Sequence, residues 1–252
     1  MSRAIRLPVR HYRAIPIDAP GYEEEVLELE LDTTAVVAIH CWNIGCPDGP
    51  EIDMDYCVGA GWPQSTAEAA RIMAEVMQPA MDQARRIGLP IFHVESDQMD
   101  SHYPEVESRR PPLAPPSGEA ARMGDRAHGT GYLTKSPLVR MRRAKIMEPR
   151  GDERMVFYSD QLDEELQRNG IDTLLYMGFM ADMCLLSADG GAFPMLGRGY
   201  RCILMRDATV GVETPTTYQE KLATRYAIHI FEWKIGYGTT FSDYMEATKG
   251  LE

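Results

Sequence analysis

The sequence predicts an α/β fold of three layers (α/β/α), with a mainly parallel, Rossmann-like sheet between two layers of helices. Two observations support this prediction. The apolar runs at 34–40 and 173–178 are continuous, as in strands that are buried on both faces. Such runs also alternate with helical patterns along the chain, which is the order that right-handed βαβ units produce.

The first half of the chain predicts three strands and one long helix. An alternating pattern indicates a half-buried or edge strand at 25–31, and apolar runs indicate buried strands at 34–40 and 90–95. Between them, residues 65–87 form a helical pattern that Ser65 can cap and Pro79 should kink or split. Residues 97–143 are rich in Pro and Gly, and an irregular stretch of this length is usually functional, as a lid or an interface arm.

The second half continues the alternation of strands and helices. We expect strands at 144–148, 173–178 and 200–206, and helices at 160–169 (Asp160 as N-cap), 182–198 and 215–233. The 252 residues are then best read as a single domain, 1–252, with the irregular arm at about 97–143.

Charge and composition exclude several classes of partner. Lys and Arg number 26 and Asp and Glu number 38, giving a net charge of −12, which disfavours nucleic acid and anionic membranes as partners. No apolar run approaches the ~20 residues of a membrane-spanning helix. The first twenty residues have no apolar segment of the secretory kind, so we expect a cytoplasmic protein whose five cysteines are reduced.

In a parallel α/β sheet, ligands bind beyond the carboxyl ends of the strands. The segment from Gly178 to Cys184 leaves a buried strand there and opens a helix. A thiol in the first turn of a helix should have a lowered pKa, and the free N–H groups of that turn can hold an oxyanion. Cys184 is therefore the candidate nucleophile, although a buried, inert cysteine would also suit this position.

This segment resembles the active-site turn of the isochorismatase-like cysteine hydrolases, the superfamily of isochorismatases, nicotinamidases and N-carbamoylsarcosine amidases, which reads roughly G-V-A-T-D-x-C. Gly178, Asp182 and Cys184 match, and Ala181 replaces the usual Thr. The resemblance spans about 34–235 and implies that Cys184 is the nucleophile. It also implies that the Met180–Ala181 bond is cis and that the N–H groups of Ala181 and Cys184 face a substrate carbonyl oxygen.

The other two catalytic positions depart from the family pattern. His40 occupies the position of the family's Asp after the first buried strand, while Asn43 still matches. Glu148 replaces the family's Lys in one alignment, and in another the Lys falls in a deletion. One interpretation is a rewired triad in which His40 is the base, Glu148 orients it and Cys184 attacks. Other bases for Cys184 are left open: Asp182, Asp97 and Glu95.

The remaining predictions concern the pocket, cofactors and partners. Trp42, Asn43 and Asp182 are candidate pocket residues. We expect no cofactor and no metal, although His93, Asp97 and His102 are a weak alternative as metal ligands because some amidases of this family carry zinc. The resemblance implies a small-molecule substrate and a homo-oligomer, a dimer or a tetramer.

Three functions compete. The first is a hydrolase that cleaves a C–N bond of a small amide or ureido compound through a Cys184 thioester. The second is a catalytically degenerate relative that binds a ligand or a partner. The third is a vinyl-ether hydrolase, which the missing carboxyl at His40 argues against because that carboxyl would be the acid.

Overall fold

In a computed structural model, which describes residues 3–56, 62–110 and 117–251, one mixed sheet runs through the described chain. Its eight strands lie in the order β2-β1-β8-β7-β6-β3-β4-β5. Strands β3 to β8 are parallel, whereas β1 pairs antiparallel with both β2 and β8. The strands are β1 (Ala4–Arg13), β2 (Gly21–Glu30), β3 (Thr34–Ile39), β4 (Ile91–Val94), β5 (Arg154–Val156), β6 (Thr173–Gly178), β7 (Arg201–Met205) and β8 (Tyr237–Thr239).

Helices cover both faces of this sheet. They are α1 (Pro63–Ile72), α2 (Gln78–Ile87), α3 (Gly118–His128), α4 (Tyr132–Lys135), α5 (Ser159–Arg168), α6 (Cys184–Ser187), α7 (Ala192–Leu196), α8 (Leu222–Lys234) and α9 (Phe241–Ala247). Short 3-10 turns occupy Leu31–Thr33, Asp97–His102, Pro137–Arg140 and Lys145–Met147. No helix in the described ranges is long and apolar enough to cross a bilayer.

The period of two along β3 divides the core into two layers. Val36 and Ala38 pack into the apolar cluster of α1, α2 and α9, whereas Ala35, Val37 and Ile39 pack into the cluster of α5, α7 and α8. Every residue of β3 and of β6 is buried. The three-layer α/β fold predicted from these continuous apolar runs is confirmed.

The predicted strand at 144–148 is wrong. Lys145–Met147 is a 3-10 turn, and the strand beside β4 is β5, which lies later in the chain. A hydrogen bond from Nε of the Arg143 guanidinium to the carbonyl of Met147, at 2.7 Å, stabilises this turn. Glu148 therefore precedes a strand instead of following one.

Several predicted helix boundaries also shift. Helix α1 begins at Pro63, so Ser65 is a buried residue of its first turn and not its N-cap, and α5 begins at Ser159 instead of being capped by Asp160. The kink expected near Pro79 takes the form of a π-helical turn, Met73–Met77, between α1 and α2.

Two predicted helices are shorter than expected. The one at 182–198 is divided into α6 and α7, because Gly190 adopts a left-handed φ of 69° between them. The one at 215–233 begins only at Leu222, since Lys221 before it has a φ of 51°. The sequence interpretation missed β1, β5, β8 and α9 altogether, and it also missed α3 and α4, which lie in the stretch expected to be irregular.

Candidate active site

The candidate site lies where β3, β4 and β6 end side by side at the carboxyl edge of the sheet. Ile39 is the last residue of β3, and it pairs with Gly178 of β6 and with Val94 of β4. His40 and Glu95 follow directly, and the His40 amide donates to the carbonyl of Val94 at 2.9 Å. Side chains from three strands are thereby delivered to one place, as expected for this fold class.

The turn after β6 requires a glycine at its first position. Gly178 has a φ of 124°, and a Cβ there would overlap the backbone carbonyl of Ile39. The bond that follows, Phe179–Met180, is cis. The cis bond predicted at Met180–Ala181 is therefore wrong by one residue.

The amides that face the Cys184 sulfur are those of Met180 and of Cys184 itself. The Ala181 amide instead donates to the carbonyl of Val210 at 2.9 Å, because the chain after β7 packs against this turn. The Ala181 amide is therefore not free to bind an oxyanion as expected, whereas the Met180 amide faces the sulfur. A carbonyl oxygen bound near the sulfur would meet two backbone donors, which is the arrangement that stabilises a tetrahedral oxyanion.

Cys184 opens α6 and is partly exposed. Burial raises the pKa of its thiol, and the Met180 amide only partly offsets this. The predicted lowering of the thiol pKa by the helix dipole is wrong, because α6 comprises four residues and such a short helix has almost no dipole to offer. The resting group is a neutral thiol that needs a base to remove its proton.

His40 is buried directly beside that turn and has an available nitrogen. Its Nδ1 is buried and has no hydrogen-bond partner, and its φ of 49° is uncommon for any residue but glycine. Burial lowers the pKa of its imidazole, and the nearby Glu95 carboxylate opposes that shift while Arg143 reinforces it. The ring stacks on Trp42 with centroids 5.4 Å apart. A neutral imidazole with a free nitrogen can act as a proton acceptor.

Glu95 is the carboxylate that organises this edge. Its side chain is fully buried, and Oε1 accepts from the Cys41 amide at 3.2 Å and from Arg143 Nη1 at 2.7 Å. Its Oε2 accepts from the indole Nε1 of Trp42 at 3.1 Å. Glu95 thus fixes both the backbone that follows His40 and the ring that stacks on it.

Arg143 neutralises Glu95 from within the protein. Its guanidinium is completely buried, and Nη2 donates to the Ala38 carbonyl at 3.1 Å and to His93 Nδ1 at 2.8 Å. Because arginine can only donate, the proton of the neutral His93 ring resides on Nε2, which donates to Glu153 at 2.8 Å. Burial, reinforced by the Arg143 charge, lowers the pKa of His93 to about 4.

Glu148 is not joined to His40. Both of its oxygens accept from the hydroxyl of Tyr103, at 3.1 and 3.3 Å, and the charges that act on His40 are those of Glu95 and Arg143. The proposed His40–Glu148–Cys184 triad is therefore wrong in its carboxylate. The misplaced strand is the reason, since Glu148 follows a 3-10 turn instead of ending a strand, and its carboxylate is bound by Tyr103.

Two predicted pocket residues are used to hold loops. Asn43 donates to the Asp48 carbonyl at 3.1 Å and accepts from the Arg142 amide at 2.8 Å, so both ends of its amide are engaged. Asp182 accepts from the Val212 amide at 2.8 Å and thereby ties the Cys184 turn to the segment after β7. Both side chains therefore stabilise the loops around the site.

Two cavities flank His40. The smaller is lined by His40 with Trp42 and Met180, so the predicted pocket residue Trp42 does border a cavity. The larger, of about 370 Å³, is lined by His40 with Ser187 and Ala188. Since these residues bracket Cys184 along the chain, His40 faces both ends of the turn that carries the thiol.

The other sulfur and imidazole groups lie outside this chemistry. Burial raises the thiol pKa values of Cys41, Cys46 and Cys202 to about 12, 11 and 12, and Cys57 lies outside the described residues. In the described part of the chain, no three His, Cys, Asp or Glu side chains converge to hold a metal ion. His93 could not serve as a ligand in this arrangement, because both ring nitrogens are already bonded.

Sequence reasoning gave Glu95 only as one of several bases and did not single out Arg143. The signal for Glu95 was its place directly after a buried strand. Arg143 lies within the basic run 140–145, and nothing in its spacing distinguishes it from its exposed neighbours Arg140 and Arg142.

Comparison with known families supports the same class of fold. The family model described as the isochorismatase domain matches residues 51–233. The match covers Cys184, Glu95 and Arg143, and it begins after β3, so His40 precedes it. No curated protein matches the chain.

Two solved structures illustrate the similarity. A cysteine hydrolase from Pseudomonas syringae pv. phaseolicola 1448A is 16% identical, with a TM-score of 0.54 over 89% of this chain and 96% of that one. An isochorismatase family protein from Burkholderia thailandensis is 19% identical, with a TM-score of 0.51 over 86% of this chain and 96% of that one. At these identities the likeness establishes the fold.

Proposed function

Because the chain belongs to the isochorismatase family of hydrolases, we propose that it is a cysteine-dependent hydrolase of a small amide or ureido compound, acting through a thioester at Cys184. His40 is the general base in this proposal. Glu95, and not Glu148, is the carboxylate that supports it.

The proposed reaction has two halves. His40 accepts the thiol proton as the Cys184 sulfur attacks the substrate carbonyl carbon, and the oxyanion is held by the amides of Met180 and Cys184. The C–N bond then breaks, and the amine leaves with the proton from His40. Water, deprotonated by His40, attacks the thioester, which releases the acid and restores the thiol.

The observation that supports this proposal best is the buried, unpartnered Nδ1 of His40 beside the Cys184 turn. A buried polar atom without a partner costs free energy, on the order of 1–3 kcal/mol, and such a cost persists mainly at functional sites. The Glu95 charge stabilises the imidazolium that forms when His40 takes the thiol proton. The same imidazolium can then give that proton to the leaving amine.

One observation favours the second candidate, a non-catalytic binding protein. The thiol pKa of Cys184 is raised, and the family's Asp and Lys are absent from their places. A thiol that is protonated at rest still reacts if a base takes the proton during attack, as the hydroxyl does in Ser–His enzymes. The two candidates therefore differ in whether His40 assists Cys184.

The test combines turnover and thiol labelling. We expect a panel of small primary amides and ureido compounds, assayed for released ammonia, to contain a substrate whose hydrolysis is abolished in Cys184→Ala and falls about 10²- to 10⁴-fold in His40→Asn. Asparagine is the matched replacement because it tolerates a positive φ. Glu148→Gln is the control and should keep most of the activity.

Labelling decides the case if the panel yields no substrate. Iodoacetamide should modify Cys184 faster than the other cysteines, and His40→Asn should slow that reaction. Equal and slow rates at all the cysteines, unchanged in His40→Asn, would establish the non-catalytic function. A cytoplasmic location, a homo-oligomer and a lid role for 97–143 stay predictions from the sequence.

A further inference from the structure

The larger cavity beside His40 is lined by both aromatic and charged side chains. Its volume is about 370 Å³, which suits a small molecule. Phe157 and Tyr158, which follow β5, form one wall, and residues 187–189 of the chain after Cys184 form another. His40 and Glu95 lie at the end nearest the sheet.

Most of the charges around this cavity are already paired. Glu95 is bound to the buried Arg143 behind the wall. Arg110 donates to both oxygens of Asp189, at 2.5 and 3.3 Å, and its guanidinium lies 4.4 Å from the centroid of the Tyr158 ring. Within each of these two ion pairs the charges cancel, so the pairs add no net charge to the cavity.

Asp97 is the exception. It lines the same cavity and is half-buried, and its Oδ2 accepts only from the hydroxyl of Tyr158, at 3.1 Å. Among the described residues, no Lys, Arg or His forms an ion pair with it. A carboxylate in a partly closed cavity attracts a cation more strongly than the same group on an open surface.

A second observation indicates that a ligand belongs here. His40 lines this cavity, is buried, and keeps Nδ1 without a hydrogen-bond partner. A ligand that fills this cavity would contact the His40 ring at one end and Asp97 at the other. The proposed base and the unpaired carboxylate thus line one cavity.

We propose that the substrate is a cationic amide, whose carbonyl is attacked by Cys184 and whose protonated amine or guanidinium is bound by Asp97. This inference rests on the proposed function, because it assigns the substrate class of the same site. The aromatic residues Phe157 and Tyr158 give the cavity apolar surface on which the rest of such a substrate can pack.

Charged thiol reagents test the proposal without a known substrate. The Cys184 sulfur attacks the divalent sulfur of methanethiosulfonates that carry a trimethylammonium, a sulfonate or only a methyl group. A mixed disulfide forms, the bond between that sulfur and the sulfonyl group breaks, and methanesulfinate leaves. Rates are measured by intact mass, corrected with Cys184→Ala for the other cysteines, and normalised to the rates with free β-mercaptoethanol. About 0.5 M salt screens the overall charge of the protein.

The decisive comparison is between two isosteric variants. Asp97→Asn and the exposed control Asp152→Asn each change the net charge from −12 to −11, but only Asp97 lines the cavity. We expect the cation-to-anion rate ratio to fall roughly fivefold in Asp97→Asn and to stay at the wild-type value in Asp152→Asn. An unchanged ratio in Asp97→Asn, or an equal fall in both variants, would overturn the proposal.

Failure of this inference is distinguishable from failure of the proposed function. The neutral methyl reagent reports the reactivity of Cys184 regardless of charge. If Cys184 reacts quickly and His40→Asn slows it while Asp97→Asn has no effect on the ratio, the hydrolase proposal stands and the cationic substrate does not.

Discussion

At the scale of single residues, the proposed chemistry depends on two groups, Cys184 and His40, whose neutral forms are favoured by burial. Desolvation raises the pKa of the Cys184 thiol and lowers the pKa of the His40 imidazole, so proton transfer between them is uphill at rest. Attack on a carbonyl changes this balance, because the amides of Met180 and Cys184 then stabilise the developing oxyanion. The pair should therefore be reactive toward substrate and modest toward simple thiol reagents.

The pH dependence of turnover follows from His40. Only the neutral imidazole accepts a proton, and its pKa lies below the ordinary value of 6.5. We expect kcat/KM to be flat near neutral pH and to fall about tenfold per pH unit only below the lowered pKa. His40→Asn should lose this acidic limb along with most of the rate. A limb centred above 6.5, or one that survives in His40→Asn, would assign the titration to another group.

Arg143 should be indispensable to folding as well as to the site. Replacing it with Met leaves the Glu95 carboxylate buried without its cation and removes donors from the carbonyls of Ala38 and Met147. We expect a loss of about 3–5 kcal/mol in the free energy of unfolding, measured by urea denaturation. The neighbouring Arg142→Met is the matched control, because that side chain is exposed, and it should change stability by less than about 0.5 kcal/mol. Equal losses in the two variants would contradict the role of the buried pair.

Sequence reasoning found Cys184 and His40 because each follows a continuous apolar run that marks a buried strand. It chose Glu148 over Glu95 because it took 144–148 for a strand. The side chains of Arg143 and Glu95 form a hydrogen bond although 48 positions separate them in the chain, and no local sequence pattern predicts such a contact. Local patterns therefore led to Cys184 and His40 as candidate reacting groups, whereas the Glu95–Arg143 pair emerged only from the fold.

At the scale of elements, the register between β3 and β6 determines where the proposed catalytic groups lie. Ile39 pairs with Gly178, and the amide of Phe179 donates to the carbonyl of Ile39 at 3.0 Å. The hydroxyl of Thr209 also donates to the carbonyl of Gly178, at 2.6 Å, so β6 is fixed from both sides as it leaves the sheet. A one-residue slip would move Cys184 away from His40.

Gly178→Ala tests this registration. The added Cβ would overlap the carbonyl of Ile39 and would also be forced to a φ of 124°. We expect a loss of more than about 3 kcal/mol of stability and, in any folded fraction, loss of the faster alkylation of Cys184.

Gly170→Ala is the matched control, since Gly170 also has a positive φ, 66°, but nothing lies within 4 Å of its Cβ position. It should cost about 1 kcal/mol and leave Cys184 unchanged. If the two substitutions had similar effects, the loss of stability would come from the positive φ alone and not from the close approach of Gly178 to β3.

Elements with a long, regular pattern were predicted well, and short ones were not. The runs that became β3, β4, β6 and β7 are mostly apolar, and nearly all of their residues are buried, so few polar positions interrupt the pattern. In contrast, β5 and β8 comprise three residues each, too few to show a period. Strand β1 contains Pro8, which argues locally against a strand, and only its pairing with β2 and β8 makes it one.

At the scale of the whole molecule, the β1–β2 hairpin extends the sheet on the side of β8, away from the candidate site. Its contact with the parallel strands is narrow. Within the described residues, Arg10 and Gly238 are the only β1–β8 pair in register, and the Thr239 hydroxyl adds one hydrogen bond to the Pro8 carbonyl at 2.9 Å. The fully buried carboxylate of Glu232 in α8 reinforces this junction, accepting from Arg10 at 2.8 and 3.1 Å. Arg206, which follows β7, approaches the same carboxylate at 3.5 Å. One acidic side chain thus joins the hairpin, the sheet and a helix.

Glu232→Gln should loosen the hairpin without altering the chemistry of the site. The change leaves Arg10 and Arg206 facing each other without the charge that separates them, so we expect about 3–5 kcal/mol of destabilisation. Hydrogen exchange should accelerate first in β1 and β2, because their attachment to β8 is the narrowest part of the sheet.

The exposed Glu220→Gln is the control and should have no effect on either measurement. At a temperature where the variant remains folded, the iodoacetamide rate of Cys184 should equal that of the wild type, because β7 and β8 lie between the hairpin and β6. Acceleration of exchange that begins in β3 or β6 instead would show that Glu232 supports the whole sheet and not this junction.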